Sequence, residues 1–136
     1  MDSIFDPDIL RKLRADKCQN FLIVNAPEGY LNLFSDFQVD TTDHLADKGK
    51  YDFVQVFGAS QAELEHHMLA VKDSGKPDAL FWACYPKGGG KIKSDSKRET
   101  VWAALELIQL RPVSQIALDE TWSAMRGRPH ALVKSK

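Results

Sequence analysis

The apolar and polar positions divide the chain into short segments whose period changes abruptly. Ile9, Leu10 and Leu13 make an apolar stripe with Arg11, Lys12 and Arg14 outside it. Asp6-Pro7 ahead of them offers a capping acceptor and then proline at the first helical position, which predicts a helix start. Phe21 to Val24 is a continuous apolar run ended by Asn25-Ala-Pro-Glu-Gly29, the pattern of a buried strand bounded by turn residues. Tyr30 to Phe34 suits a brief helix, Phe37-Gln-Val39 alternates as a short strand, and residues 43–50 are polar and loop-like.

The middle of the chain is sharper. Tyr51 to Phe57 predicts a strand, broken at Gly58-Ala59; Ser60-Gln-Ala-Glu63 is a capping box opening a helix to about Asp73. Ser74-Gly-Lys-Pro77 ends that helix, and Ala79 to Tyr85 predicts a second buried strand. Beyond a Lys/Gly-rich loop, Ser96-Lys-Arg-Glu99 makes a second capping box, its helix runs to about Leu110, and Val113 to Leu118 is a further strand. Alternating strands and helices imply parallel pairing through right-handed crossovers. Runs apolar on both faces suit strands covered on both sides. The expected fold is one three-layer α/β domain over residues 1–136. Its sheet is mainly parallel and Rossmann-like, with about five strands and a C-terminal hairpin strand. Ala131 to Val133 is expected as an additional strand.

Composition narrows the class. A chain of 136 residues with 43% apolar and 27% charged positions can support one core without metals or disulfides. A net charge of −1 argues against a dedicated nucleic-acid binder. The acidic N-terminus lacks a signal-peptide pattern, and the longest apolar run, Ala79 to Tyr85, falls far short of the roughly 20 residues that span a bilayer. No membrane association and a cytoplasmic location are expected. Cys84 reads as a small buried hydrophobe, whereas Cys18, beside Lys17, is either a reactive or a bland thiol. Glu63 and His67 stand at i, i+4, but His66 and His67 diverge by about 100° and no third ligand adjoins, so a solvated helix face without metal is expected. His44, near Asp43 and Asp47, is a weak signal. Ser35, Ser60 and Ser94 lack the G-x-S-x-G context of a hydrolase elbow.

Ligands of open parallel sheets collect at the carboxyl ends of the strands. That edge would gather residues 25–29, 40–42, 58–60 and 85–93, with Asp119. The strongest candidate is Tyr85-Pro-Lys-Gly-Gly-Gly-Lys-Ile-Lys-Ser-Asp-Ser96. Gly88, Gly89 and Gly90 would let backbone amides approach an anion, while Lys87 and Lys91 supply charge and Ser94 precedes a helix N-terminus. Neither a P-loop nor a dinucleotide fingerprint is present, and a solvated loop is the alternative. The tail, Asp119 to His130, carries Trp122, Arg126 and Arg128. As an extended strand these three share one face with Ala124 and His130, forming an anion- or partner-binding strip. The competing account is structural: Trp122 packs on the sheet and Asp119 pairs with Arg126 or Arg128 to pin the chain end.

Two stretches carry a resemblance. Asp78-Ala-Leu-Phe-Trp-Ala-Cys-Tyr-Pro-Lys87 and Asp119-Glu-Thr-Trp-Ser-Ala-Met-Arg-Gly-Arg-Pro129, supported by Asn25 to Gly29, resemble a bacterial domain-of-unknown-function family with the pattern D-x-x-W-S-A-x-R-x-R-P near its end. Gly127 departs from that family, which has an aromatic there. The resemblance implies a small cytosolic bacterial protein. The strand order is also similar to a shortened nucleotide- or methyl-donor-binding fold, without the glycine motif such folds need after their first strand.

These features favour a non-catalytic binding module that takes an anionic small molecule or a protein partner and needs no cofactor. A second hypothesis is an enzyme on a phosphorylated or nucleotide-like substrate, a degenerate methyltransferase-like fold. Its base would be Asp119 or Asp40, and Lys87, Lys91 and Arg126 would hold charge. A third is a structural subunit whose exposed apolar surface makes a homodimer; monomer and homodimer both remain open. A cavity joining Lys87, Asp119 and Arg126 would favour the enzyme.

Overall fold

Residues 6, 8–41, 49–87 and 93–129 are described by a computed structural model, with backbone only at Pro77 and Asp78. In chain order the elements are α1 (Ile9–Lys12), β1 (Phe21–Val24), β2 (Val39–Asp40), β3 (Tyr51–Phe57), α2 (Gln61–Val71), β4 (Gly75–Pro86), α3 (Arg98–Leu107), β5 (Leu110–Ala117) and β6 (Trp122–Pro129). Two short 3-10 turns, Ala15–Lys17 and Tyr30–Phe34, are also present among the described residues. The strands form one sheet in the order β2-β1-β3-β4-β6-β5. β1 pairs in parallel with β2 and β3, and β3 with β4. β6 then inserts antiparallel between β4 and β5. The α/β, mainly parallel, Rossmann-like expectation holds, with six strands among the described residues and antiparallel strands at the C-terminal end.

Each face of the sheet carries its own core. On one, Leu22, Val24, Val54, Val56 and Ala83 meet Leu64 and Met68 of α2 and Val101 and Leu105 of α3. On the other, Phe21, Ile23, Phe53, Phe57, Trp82 and Trp122 lie under α1 and the two 3-10 turns. Full burial of a valine, leucine, isoleucine, methionine or phenylalanine side chain contributes about 1.5–3 kcal/mol, so both layers stabilise the sheet. The indole of Trp82 donates to the Leu13 carbonyl at 3.2 Å and fastens the α1 layer to β4.

Local chemistry sets the element ends. Ser60 accepts the Glu63 amide at 3.2 Å, and the Glu63 carboxylate accepts the Ala59 amide at 2.7 Å, so the first capping box stands with its return bond one residue upstream. Gly58 is required by close packing: a Cβ there would lie 2.5 Å from the backbone N and Cα of Leu64. The second capping box is displaced by one residue. Lys97 occupies the N-cap and its amide donates to Thr100 Oγ1 at 2.8 Å, while Ser96 turns its hydroxyl to Gln61. β4 begins four residues before its apolar run because Gly75 pairs with Tyr51. Five steps along β4 then match two along β3 before Leu80 meets Phe53. Pro112 is tolerated in β5 because this strand is at the sheet edge. Gly127, where the resembled family has an aromatic, has no room for a bulky side chain: a Cβ would lie 3.0 Å from Leu105 and 3.1 Å from Leu110. The expected strand at 131–133 lies outside the described residues.

Candidate functional site

β4 ends at Pro86, and α3 opens beside it, across a cavity of about 530 Å3. Alternation along β4 and β6 aims Tyr85, Lys87 and Ser123 at the α3 side of the sheet. Lys97 and Arg98 enter from the helix start, with Glu99 as the one carboxylate on the wall. Among the described residues, three cations against one anion at the positive end of a ten-residue helix favour a negatively charged ligand. The neutral polar groups are also ordered. Tyr85 accepts from the Gln115 amide at 2.9 Å, and burial pushes its hydroxyl upward in pKa against the pull of Arg98, so it stays protonated at neutral pH. Ser123 is 6% exposed, and its hydroxyl makes no hydrogen bond among the described residues.

Gln61 holds the cavity's outer wall in place. Its amide N–H donates to Asp95 at 2.8 Å, its side-chain oxygen accepts from Ser96 and Thr100, and its Nε2 donates to the Thr100 carbonyl. One residue of α2 thereby fixes residues 95–100 against the neighbouring helix.

The structure separates the sequence candidates. Lys87 lines the cavity, and its amide donates to the Thr121 carbonyl at 2.8 Å, which ties the two candidate segments at the backbone. Ser94 accepts the Ser96 amide inside the loop. Asp119 accepts the amides of Thr121 and Trp122 at 2.8 and 2.7 Å, shaping the β5–β6 turn. Trp122 packs edge-on to Phe57 in the core opposite the cavity, and strand alternation puts Arg126 and Arg128 on that same face. The cavity thus contains Lys87 without Asp119 or Arg126. Gly88, Gly89, Gly90, Lys91, His44 and His130 lie outside the described residues. Lys97, Arg98, Gln115 and Ser123 escaped sequence reasoning. The first two were absorbed into a helix cap, and the last two reach the site only through strand pairing.

Elsewhere on the carboxyl edge, the side chains of Asn25 and Ser60 have partners within the fold. Asn25, at φ 63°, donates its side-chain amide to the Phe57 carbonyl at 2.9 Å. The chain then turns at Gly29, φ 85°, into the 3-10 turn that buries Tyr30 completely. Asp40, expected at this edge, instead accepts from Tyr51 and Lys50 at the start of β3, which holds its carboxyl below the usual range. Cys18 is half-buried, and its thiol is pushed up to about 11 by burial and by Asp52 and Asp16, so it is the bland alternative. Among the described residues no helix is long and apolar enough to cross a membrane.

No protein-family model and no curated protein matches the sequence. Solved structures do match. A SAM-dependent methyltransferase from Aquifex aeolicus superimposes with a TM-score of 0.60 at 12% identity, covering 92% of this chain and 90% of that one. The N-methyltransferase NodS of Bradyrhizobium japonicum gives 0.55 at 9% identity over 90% and 93%. Magnesium protoporphyrin IX methyltransferase from Synechocystis, solved with SAM bound, gives 0.60 at 9% identity over 89% and 76%. At these identities the likeness concerns the fold, and the chain has the Rossmann-like fold of SAM-dependent methyltransferases.

Proposed function

We propose that this chain is a non-catalytic binding module for an anionic small molecule, built on a methyltransferase-like frame. The observation that carries this reading is the cavity at the end of β4, where Lys87, Lys97 and Arg98 converge on the start of α3 beside the neutral donor groups of Tyr85 and Ser123. A pocket of this volume suits a small molecule, and polar groups of this kind orient a charged one.

The cofactor of the structural neighbours does not fit the residues present. Nucleotide cofactors in such folds rest on a glycine-rich turn whose amides, together with a helix N-terminus, face the ligand after the first strand. Here that turn carries Pro27, which has no N–H, and leads into a five-residue 3-10 turn. The Tyr30 amide is already bonded to the Pro27 carbonyl, and the Asn25 side chain to Phe57. Asp119, the candidate base, is held by two backbone amides. Both points support binding over catalysis.

Thermal denaturation with added inorganic phosphate tests the reading, because a ligand that binds only the native state raises its stability. Phosphate is expected to raise the midpoint of the native chain and not that of the Lys97→Ala/Arg98→Ala variant. An equal rise in both would remove the site.

A further inference from the structure

The anion cavity does not end at Arg98. A second cavity of about 250 Å3 adjoins it along α3 and β5, sharing Arg98 and Gln115 and floored by Met125. Beyond the shared Arg98 and Gln115 its lining is mainly apolar: Trp102, one helical turn beyond Arg98, lies on it with Pro112 and Val113 of the edge strand. Val113 is the extra residue of a bulge between Pro112 and Ser114, which leaves its side chain 39% exposed. Trp102 is 44% exposed, and its indole N–H reaches Glu106 at 3.3 Å, which lays the ring along the helix. Leaving an indole this exposed forgoes burial that Trp82 and Trp122 achieve at 1% and 7%.

We propose that the two cavities form one site for a planar aromatic ring carrying a phosphate, as in a nucleoside monophosphate or an aryl phosphate. The proposal rests on the anion-binding reading above and deepens it. The phosphate sits among Lys87, Lys97 and Arg98, and Ser123, a residue only 6% exposed on that cavity's wall, offers its hydroxyl for a further hydrogen bond. The ring lies against Trp102, where flat apolar contact is sequence-tolerant and strong. The combined volume is in the range of small-molecule pockets.

The test is a titration of the whole chain with adenosine 5′-monophosphate, phenyl phosphate, adenosine and inorganic phosphate, followed by calorimetry and by tryptophan emission. Trp102 is the exposed indole, so a stacked ring quenches the solvent-exposed component of the emission. Adenosine monophosphate or phenyl phosphate is expected to bind about tenfold more tightly than inorganic phosphate, with quenching that phosphate alone does not cause. Trp102→Ala, at an exposed position that leaves the fold intact, is expected to bring the ring-bearing ligand down to the affinity of phosphate. Equal affinities for all phosphates, unchanged by Trp102→Ala, would overturn this proposal and leave the anion site standing. Absence of binding by every phosphate would overturn both, and binding of adenosine as tight as its monophosphate would overturn the phosphate contact.

Discussion

The Tyr30 hydroxyl donates to the Gln55 side-chain oxygen at 2.7 Å between two residues with no solvent exposure. Gln55 in turn donates to Cys84 Sγ at 3.3 Å, so a polar chain crosses β3 and β4 inside the aromatic core. Tyr30→Phe leaves the Gln55 oxygen buried without its donor and is expected to cost about 1–3 kcal/mol in urea unfolding. The double variant Tyr30→Phe/Gln55→Leu should recover most of that loss, because removing both partners is nearly neutral. A double variant whose loss equals the sum of the two single losses would show that the pair is not coupled.

Alkaline pH acts on the same core. Tyr30, Tyr85, Cys84 and Cys18 all have pKa values raised mainly by burial. On unfolding they return to about 10.0 for the tyrosines and 9.0 for the thiols, so above those values the unfolded chain binds fewer protons than the native one. Their contribution is complete below pH 9 and declines as pH rises through the folded values. Unfolding midpoints should fall between pH 9 and 11, and Cys84→Ala should lessen the slope. A midpoint independent of pH over that range would contradict the assignment.

Asp119 is a turn residue. Asp119→Ala should lower stability by about 1–2 kcal/mol, the usual effect of losing a side-chain acceptor for two orphaned amides. Asp119→Asn, which retains an oxygen acceptor, should cost less, and neither variant should change the affinity for phosphate. Lost affinity in Asp119→Asn at unchanged stability would return this carboxylate to the site.

Gly58 is sensitive for a steric reason. The 2.5 Å approach to the Leu64 backbone means that Gly58→Ala must displace the start of α2, with an expected loss of about 2–4 kcal/mol. A variant as stable as the native chain would show that α2 packs less closely on β3.

Much of the architecture was legible in the residues. Period changes at Gly58 and Asn25 mark real strand ends, and Ser60-Gln-Ala-Glu63 caps a real helix. The insertion of β6 between β4 and β5 was not legible, since alternation along Trp122 to Pro129 states that the segment is extended and not which edge it joins. From alternation alone the tail can be set beside the Lys/Gly-rich loop. Pairing in fact sends Trp122, Arg126 and Arg128 to one face and Lys87 and Ser123 to the other. Lys97 and Arg98 stood in plain view as ordinary residues of a helix start, and only the nearness of Tyr85 and Gln115 makes them a site.

The most direct test is an amide NMR titration of the chain with inorganic phosphate and, separately, with S-adenosylmethionine. The account predicts that phosphate shifts the resonances of Lys87, Lys97, Arg98 and Ser123, and that S-adenosylmethionine leaves Asn25 to Gly29 unmoved. Saturable shifts at Asn25 to Gly29 with S-adenosylmethionine, and none at Lys97 and Arg98 with phosphate, would contradict it.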